Sequence, residues 1–388
     1  MLHSLVLCLP FVLGGSIQET SAQQARQQPT ENDLALLIGD FEHAILEHRK
    51  QLYGATDEER VAMRAHRPRP EEYAKRFFDL AERGARTSIA ESAMLWLAPK
   101  LTDRDLKSRA LGILRRDHIA SERMIDLCPD LRRTLRDGGA FLAELMEKSP
   151  HHEVRGQACY NLAMFQLHRS GTTRRLQLLE GELEHDHYLQ MLGQGVFDQL
   201  EASDFRTFER HAETLLEEVR KEFAALESPA GRLGVLAERA LWQIRNLSIG
   251  KTAPEVVGKG LRGEELKLSG FRGKIVVLDF QGHSFGACRA QYPHQRELIE
   301  RLEGEPFVFV TVSSDTDSGL IARVREENGL AGPCFFDGGS IGPIATRWNV
   351  TSWPTTYVLD ANGVIRYEGA RGGALDRAVD QLLRELKE

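Results

Sequence analysis

The chain has 388 residues, 28% of them charged, and a formal net charge of -7. That length exceeds one ordinary hydrophobic core and suits two domains. With no basic stripe and no arginine-rich arm, the sequence argues against a nucleic-acid partner, because a phosphate backbone demands concentrated positive charge.

The first feature in chain order is an apolar run from Leu5 to Gly14, of signal-peptide length and too short to span a membrane. Thr20-Ser21-Ala22 follows as a small-residue cleavage site. Residues 1–22 are therefore expected to be a signal peptide, and the protein to be exported to a periplasmic or other extracytoplasmic space. Against this stands Met1-Leu2-His3-Ser4, which has no Lys or Arg. Cys8 lies too early for lipid attachment and reads as part of the removed segment. No other stretch reaches membrane length. The remaining cysteines, Cys128, Cys159, Cys288 and Cys334, are too few and scattered for a disulfide framework, so each is expected to be a small buried apolar residue.

From Asn32 to Leu247 apolar residues recur at three- and four-residue spacing with short breaks at Gly or Pro, which predicts an all-helical domain over residues 30–247. Leu106, Ala110 and Leu114 recur 48 residues later as Val154, Ala158 and Leu162, each set preceded by an apolar helix. That spacing resembles HEAT-type paired-helix repeats; an irregular helical bundle fits as well, and both stay open. His151-His152 and His185-Asp186-His187 lack the four-residue spacing of a helical metal pair and are expected in solvated loops.

At Ser248 the pattern changes. Strands are predicted over Lys274 to Phe280, Phe307 to Ser313, Thr355 to Leu359 and Val364 to Glu368, and helices over Ala287 to Leu302, Leu320 to Asn328, Ile341 to Trp348 and Ala374 to Leu386. Interleaved strands and helices make residues 248–388 an α/β domain behind the helical one.

Two blocks in this domain carry a family likeness. The first is Ala253-Pro254, then Leu268-Ser269-Gly270-Phe271-Arg272-Gly273-Lys274 leading into Ile275 to Phe280, then Cys288-Arg289-Ala290-Gln291-Tyr292-Pro293-His294; the second is Trp348 to Asp360, with Trp353-Pro354, followed by Gly363. Together they resemble the TlpA-like, AhpC/TSA redoxins of the thioredoxin superfamily over about 140 residues. The resemblance implies a thioredoxin fold, thiol-disulfide oxidoreductase descent and a Cys-x-x-Cys motif, for which this chain has Phe285-Gly286-Ala287-Cys288. It places Phe285 where the nucleophilic cysteine belongs and leaves Cys288 as the resolving position. Dithiol exchange needs two sulfurs, so at most one-cysteine chemistry remains, and whether the chain is an enzyme stays open.

By the same resemblance, Asp279 stands where thioredoxins carry a buried proton acceptor for the resolving cysteine, and Pro354 is cis, leaving the backbone before it free to pair with an extended peptide. Asp279 and Cys288 are thus the candidate catalytic pair. Phe285, Trp353 and Pro354 are the candidate substrate-binding residues, with client protein thiols or an extended peptide as partner. Cys334 in principle could resolve an oxidised Cys288; His283 and His294 match no zinc pattern and are expected in loops. No metal, cofactor or membrane span is expected. Three functions compete: one-cysteine redox chemistry at an accessible Cys288 of lowered pKa; an inactive scaffold binding a peptide or protein at the Trp353-Pro354 groove; and a structural envelope protein using both domains for assembly.

Overall fold

A computed structural model describes residues 28–178 and 182–388. The expected signal peptide and Cys8 lie outside these residues. Two compact units emerge: one runs to Asp130 and includes Glu144–Arg155, the other comprises Leu131–Ala143 and Gly156–Glu388.

The first unit is helical: α1 Glu31–Tyr53, α2 Asp57–Arg64, α3 Pro70–Arg83, α4 Ser88–Leu97 and α5 Arg104–Asp117. Side chains suited to helix starts open them. Thr30 with Asp33 and Thr56 with Glu59 form reciprocal capping boxes, and Thr87 and Asp103 cap the next turns. Phe77, Phe78, Met94, Leu97 and Leu114 are among its buried side chains, and the Phe77 ring stacks on Trp96. Beyond α6 Cys128–Leu131, helices α7 Gly138–Lys148 and α8 His152–Leu176 contribute residues to both units.

The second unit continues with α9 Glu182–Leu192, α10 Gln194–Glu201, α11 Phe205–Glu222, a two-residue hairpin of β1 Glu227–Ser228 and β2 Gly231–Arg232, and α12 Leu233–Leu247. The histidines expected in a loop, His185 and His187, instead ride on α9, exposed, with the His185 ring edge-on to Phe197. A second hairpin, β3 Val257–Lys259 with β4 Glu265–Lys267, has no counterpart in the sequence-based expectation. Its strands are short, and the clearest local sign is Gly263 at φ +85°, which turns the chain between them.

Five strands make the main sheet: β5 Ile275–Gln281, β6 Phe307–Ser313, β7 Cys334–Phe336, β8 Thr355–Leu359 and β9 Ile365–Glu368, in the order β7-β6-β5-β8-β9. β5, β6 and β7 run parallel, and β8 and β9 are antiparallel to their neighbours. Each predicted strand lies within a residue of its position. The predicted helix over Ala287 to Leu302 is broken into α13 Gly286–Arg289 and α14 Tyr292–Arg301. Pro293 explains the break: its ring would collide with the carbonyl of Arg289 in a continuous helix. The last helices are α15 Ser318–Glu327, α16 Pro343–Arg347 and α17 Gly373–Lys387.

Alternation along β5 sends Val276, Leu278 and Phe280 into one core with Phe335, Trp348, Tyr357 and Leu247, and sends Ile275 and Val277 into the other with Leu298, Val379, Leu382 and Leu383. Both sheet faces are covered, so β5 reads as an unbroken apolar run interrupted by one acid, Asp279. The described architecture is thus a helical region followed by a thioredoxin-like sheet domain.

Candidate functional site

The site forms where β5 ends and β8 begins. Asp279 shares the parity of Ile275 and Val277 and is 3% exposed. Its register partner on β8 is Thr356, whose hydroxyl donates to Asp279 Oδ1 at 2.6 Å. Burial pushes the Asp279 carboxyl up to about 6, opposed by the Thr356 hydrogen bond and the positive charge of Arg371.

After Gln281 the chain turns through Gly282, and the Phe285 N–H donates to the Gly282 carbonyl at 3.1 Å. A Cβ on Gly282 would stand 2.6 Å from Ser314 Oγ and 3.0 Å from the Phe285 ring, so any larger residue would have to displace the Ser314 hydroxyl and the Phe285 ring. His283 holds it from outside. Its N–H reaches both carboxylate oxygens of Asp315, at 3.0 and 3.1 Å, and its carbonyl accepts from Arg289 Nη1 at 2.6 Å.

Phe285 emerges from this turn half-buried and lies flat against Trp353, with ring centroids 5.3 Å apart and planes 7° from parallel. The Trp353-Pro354 peptide bond is cis. Arg371 Nη2 donates to the Pro354 carbonyl at 2.6 Å, while neither the N–H nor the C=O of Trp353 bonds another backbone group among the described residues. The Trp353 indole N–H is buried without a partner.

Cys288, on α13, is 1% exposed. Burial drives its thiol up to about 11; the Gly282 backbone pulls the other way, and the nearby Asp279 charge adds to the rise. At neutral pH a thiol of that pKa is ionised in only about one molecule in ten thousand. One-cysteine chemistry calls for an accessible thiol of lowered pKa, and the structure has the reverse on both counts, because burial outweighs the opposing pull of the Gly282 backbone and the Arg371 charge.

The structure therefore brings Phe285, Trp353 and Pro354 together and sets Asp279, Cys288 and Arg371 within electrostatic reach of one another. Cys334 begins β7 opposite Thr311, with its thiol pushed up to about 11 by burial; it and the other described cysteines are free thiols. His283 stacks on Tyr292 in the turn, whereas His294 sits not in a loop but on α14, its Nε2 3.0 Å from Asp376 on α17. Among the described residues no group of three His, Cys, Asp or Glu side chains is placed to hold a metal ion.

Two site residues had escaped the sequence reading. Thr356 follows Pro354 by two residues on a predicted strand, so pairing that strand with β5 would have set it against Asp279. Arg371 lies between Gly369 and Gly372 in a glycine-rich turn, and nothing local marks it as reaching Pro354.

Against known proteins, the profile described as the AhpC/TSA family matches residues 249–368. The thiol-disulfide oxidoreductase ResA of Geobacillus kaustophilus is 32% identical over 122 residues, 31% of this chain and 68% of that protein. The thioredoxin-like protein YneN of Bacillus subtilis is 30% identical, over 30% of this chain and 68% of its own length. Among solved structures, the thioredoxin domain of a thiol-disulfide oxidoreductase from Bacteroides vulgatus aligns with 36% of this chain and 99% of its own, at 22% identity and a TM-score of 0.33. These matches fall on the C-terminal part of the chain.

Proposed function

The chain belongs, through its C-terminal domain, to the AhpC/TSA family, and from that premise we propose that it is a redoxin whose groove beside Trp353 and Pro354 binds an extended segment of another protein, with Cys288 a core residue. The observation that carries this reading is the main chain of Trp353, free of backbone hydrogen bonds among the described residues, beside a cis proline, together with a Cys288 that is 1% exposed. A backbone N–H and C=O left open in extended chain can take a passing strand by main-chain hydrogen bonds. The Phe285 ring supplies the apolar wall that a sulfur supplies in a dithiol redoxin.

The experiment is the rate of Cys288 alkylation against pH in the folded protein, with Cys288→Ser subtracting the other thiols. Modification only on unfolding is the expected outcome. A fast reaction titrating below the ordinary cysteine value of about 8.5 would instead favour the second reading, one-cysteine exchange. That reading draws on the relatives, named thiol-disulfide oxidoreductases. In it the Cys288 thiolate attacks a client disulfide, a bond forms between Cys288 and one client sulfur, and the other client sulfur leaves as thiolate. It requires the buried Cys288 sulfur to be uncovered first.

Export belongs to the same proposal, on the apolar run Leu5 to Gly14 and the site at Ala22. No helix among the described residues is long and apolar enough to cross a membrane. The mass of the protein recovered from a secreting host tests this: a chain beginning at Gln23 is expected, and retention of residues 1–22 speaks against it.

A further inference from the structure

A cleft of about 530 Å³ opens in the second unit between α8, α9 and the β9–α17 turn. Such a volume lies in the range of ligand pockets. Its charged lining is Arg174, Arg175, Arg371 and Glu368, with His187 and the Tyr188 hydroxyl beside them. Arg174 is committed: its Nη1 lies 2.8 Å from Glu368 and 3.4 Å from Glu209. The other two guanidinium groups meet neutral oxygens, Arg175 the Tyr188 hydroxyl at 3.4 Å and Arg371 the Pro354 carbonyl at 2.6 Å. Among the described residues neither of these two guanidinium groups makes an ion pair, although the Asp279 charge lies within electrostatic reach of Arg371, so the cleft keeps an excess of positive charge on a chain whose formal net charge is -7.

Arg371 also joins the cleft to the site. It lines the cleft and holds the Pro354 carbonyl, so a segment lying along Trp353 and Pro354 passes the same guanidinium that looks into the cleft. An arginine carries five N–H donors, and one bond to a carbonyl leaves most of them for a second acceptor. We propose that the cleft receives an aspartate or glutamate side chain of the bound client segment, whose carboxylate pairs with Arg175 and Arg371, so that the protein selects clients with an acidic residue flanking the stretch held at Pro354. This rests on the peptide-groove reading above. Charge complementarity selects the carboxylate: a basic side chain would meet two arginines that make no ion pair among the described residues.

The test is fluorescence anisotropy of labelled, cysteine-free ten-residue peptides binding to the full chain at low salt. One peptide has an apolar centre flanked by Asp and Glu, a second replaces these by Asn and Gln, and a third by Lys. The acidic peptide is expected to bind about tenfold or more tighter than its amide twin, and the margin to shrink at high salt. Arg175→Glu, at an exposed position away from Pro354, should cut the margin below about twofold and leave the amide peptide unaffected; Arg175→Gln is the milder companion. Trp353→Ala should weaken both peptides. Equal affinity for acidic and amide peptides overturns the inference and leaves the groove reading standing. Binding of neither overturns both, and acidic-peptide affinity left unweakened by Trp353→Ala overturns the link between cleft and groove.

Discussion

At the scale of single residues, the decisive groups are Asp279 and Cys288, whose protonation burial has displaced. The Asp279 carboxyl is raised to about 6 from an ordinary 3.8, so the native protein holds that proton more tightly than the unfolded chain does. Its contribution to stability is then fully present below about pH 4 and is lost as pH rises toward 6, a span of two pKa units or about 3 kcal/mol. Asp279→Asn keeps an acceptor for the Thr356 hydroxyl and removes the buried charge. It should raise stability at pH 7.5 by about 1–3 kcal/mol and matter much less at pH 4.5, read from urea unfolding at the two values. A loss at pH 7.5 equal to that at pH 4.5 would show that the amide finds no room, and that the acid is held for its shape. Thr356→Val tests the same contact from the other strand: without the 2.6 Å donor, the charged carboxylate loses its partner, costing about 1–3 kcal/mol at neutral pH.

The turn between β5 and α13 is the element that decides the chemistry. Phe285 ends it, half-buried, at the place the family likeness gives to a nucleophile, while Cys288 is buried. In Phe285→Cys the new sulfur replaces the ring at the only half-exposed position of the pair, and a dithiol is restored. Insulin-disulfide reduction should then appear in the variant and be near background in the wild type; wild-type activity of the same order would overturn the assignment of Cys288 to the core. The new side chain is also smaller, and loss of the stack on Trp353 should cost about 1–3 kcal/mol in stability, measurable beside the assay. Much of this element was legible beforehand. The β-branched run Ile275-Val276-Val277, continued by Leu278, gives β5, Trp353-Pro354 marks the second half of the site, and Phe285 in the motif flags the altered chemistry. What sequence hides is what depends on distant chain. Burial of Cys288, the flat Phe285–Trp353 stack and the Arg371–Pro354 bond arise from loops brought together across the sheet, and no local pattern encodes them. Pro293 shows the opposite failure: a local signal was there, and apolar periodicity on either side of it masked the break between α13 and α14.

For the second unit as a whole, the family profile and the folded core do not share a boundary. Composition changes at Ser248 and the profile begins at residue 249, yet residues ahead of both are built into the sheet's two cores. Leu247, 1% exposed, and Trp242 pack with Trp348 and Tyr357 on one face, and Leu178 packs with Leu375 and Val379 on the other. Polar ties accompany them: Arg174 with Glu368, Arg377 with the Leu178 carbonyl at 3.0 Å, and Asn349 with Gln243 at 2.8 Å. Burying a large apolar side chain is worth about 1.5–3 kcal/mol, and the partly exposed Arg174–Glu368 pair adds a smaller amount, about 1 kcal/mol. A fragment of residues 249–388 loses all of these at once, against a net stability of only about 5–15 kcal/mol for an ordinary domain. Relative to the full chain it should unfold at markedly lower denaturant, with Trp348 fluorescence reporting the transition once the other tryptophans of each chain are replaced by Phe. If fragment and full chain lose Trp348 fluorescence at the same midpoint, the sheet is self-sufficient and the helices are passengers. If the fragment is weakened as expected, the helices from α8 to α12 are structural members of the redoxin fold in this protein, and the Arg174 that closes one wall of the cleft belongs to the same framework that holds Pro354 in place.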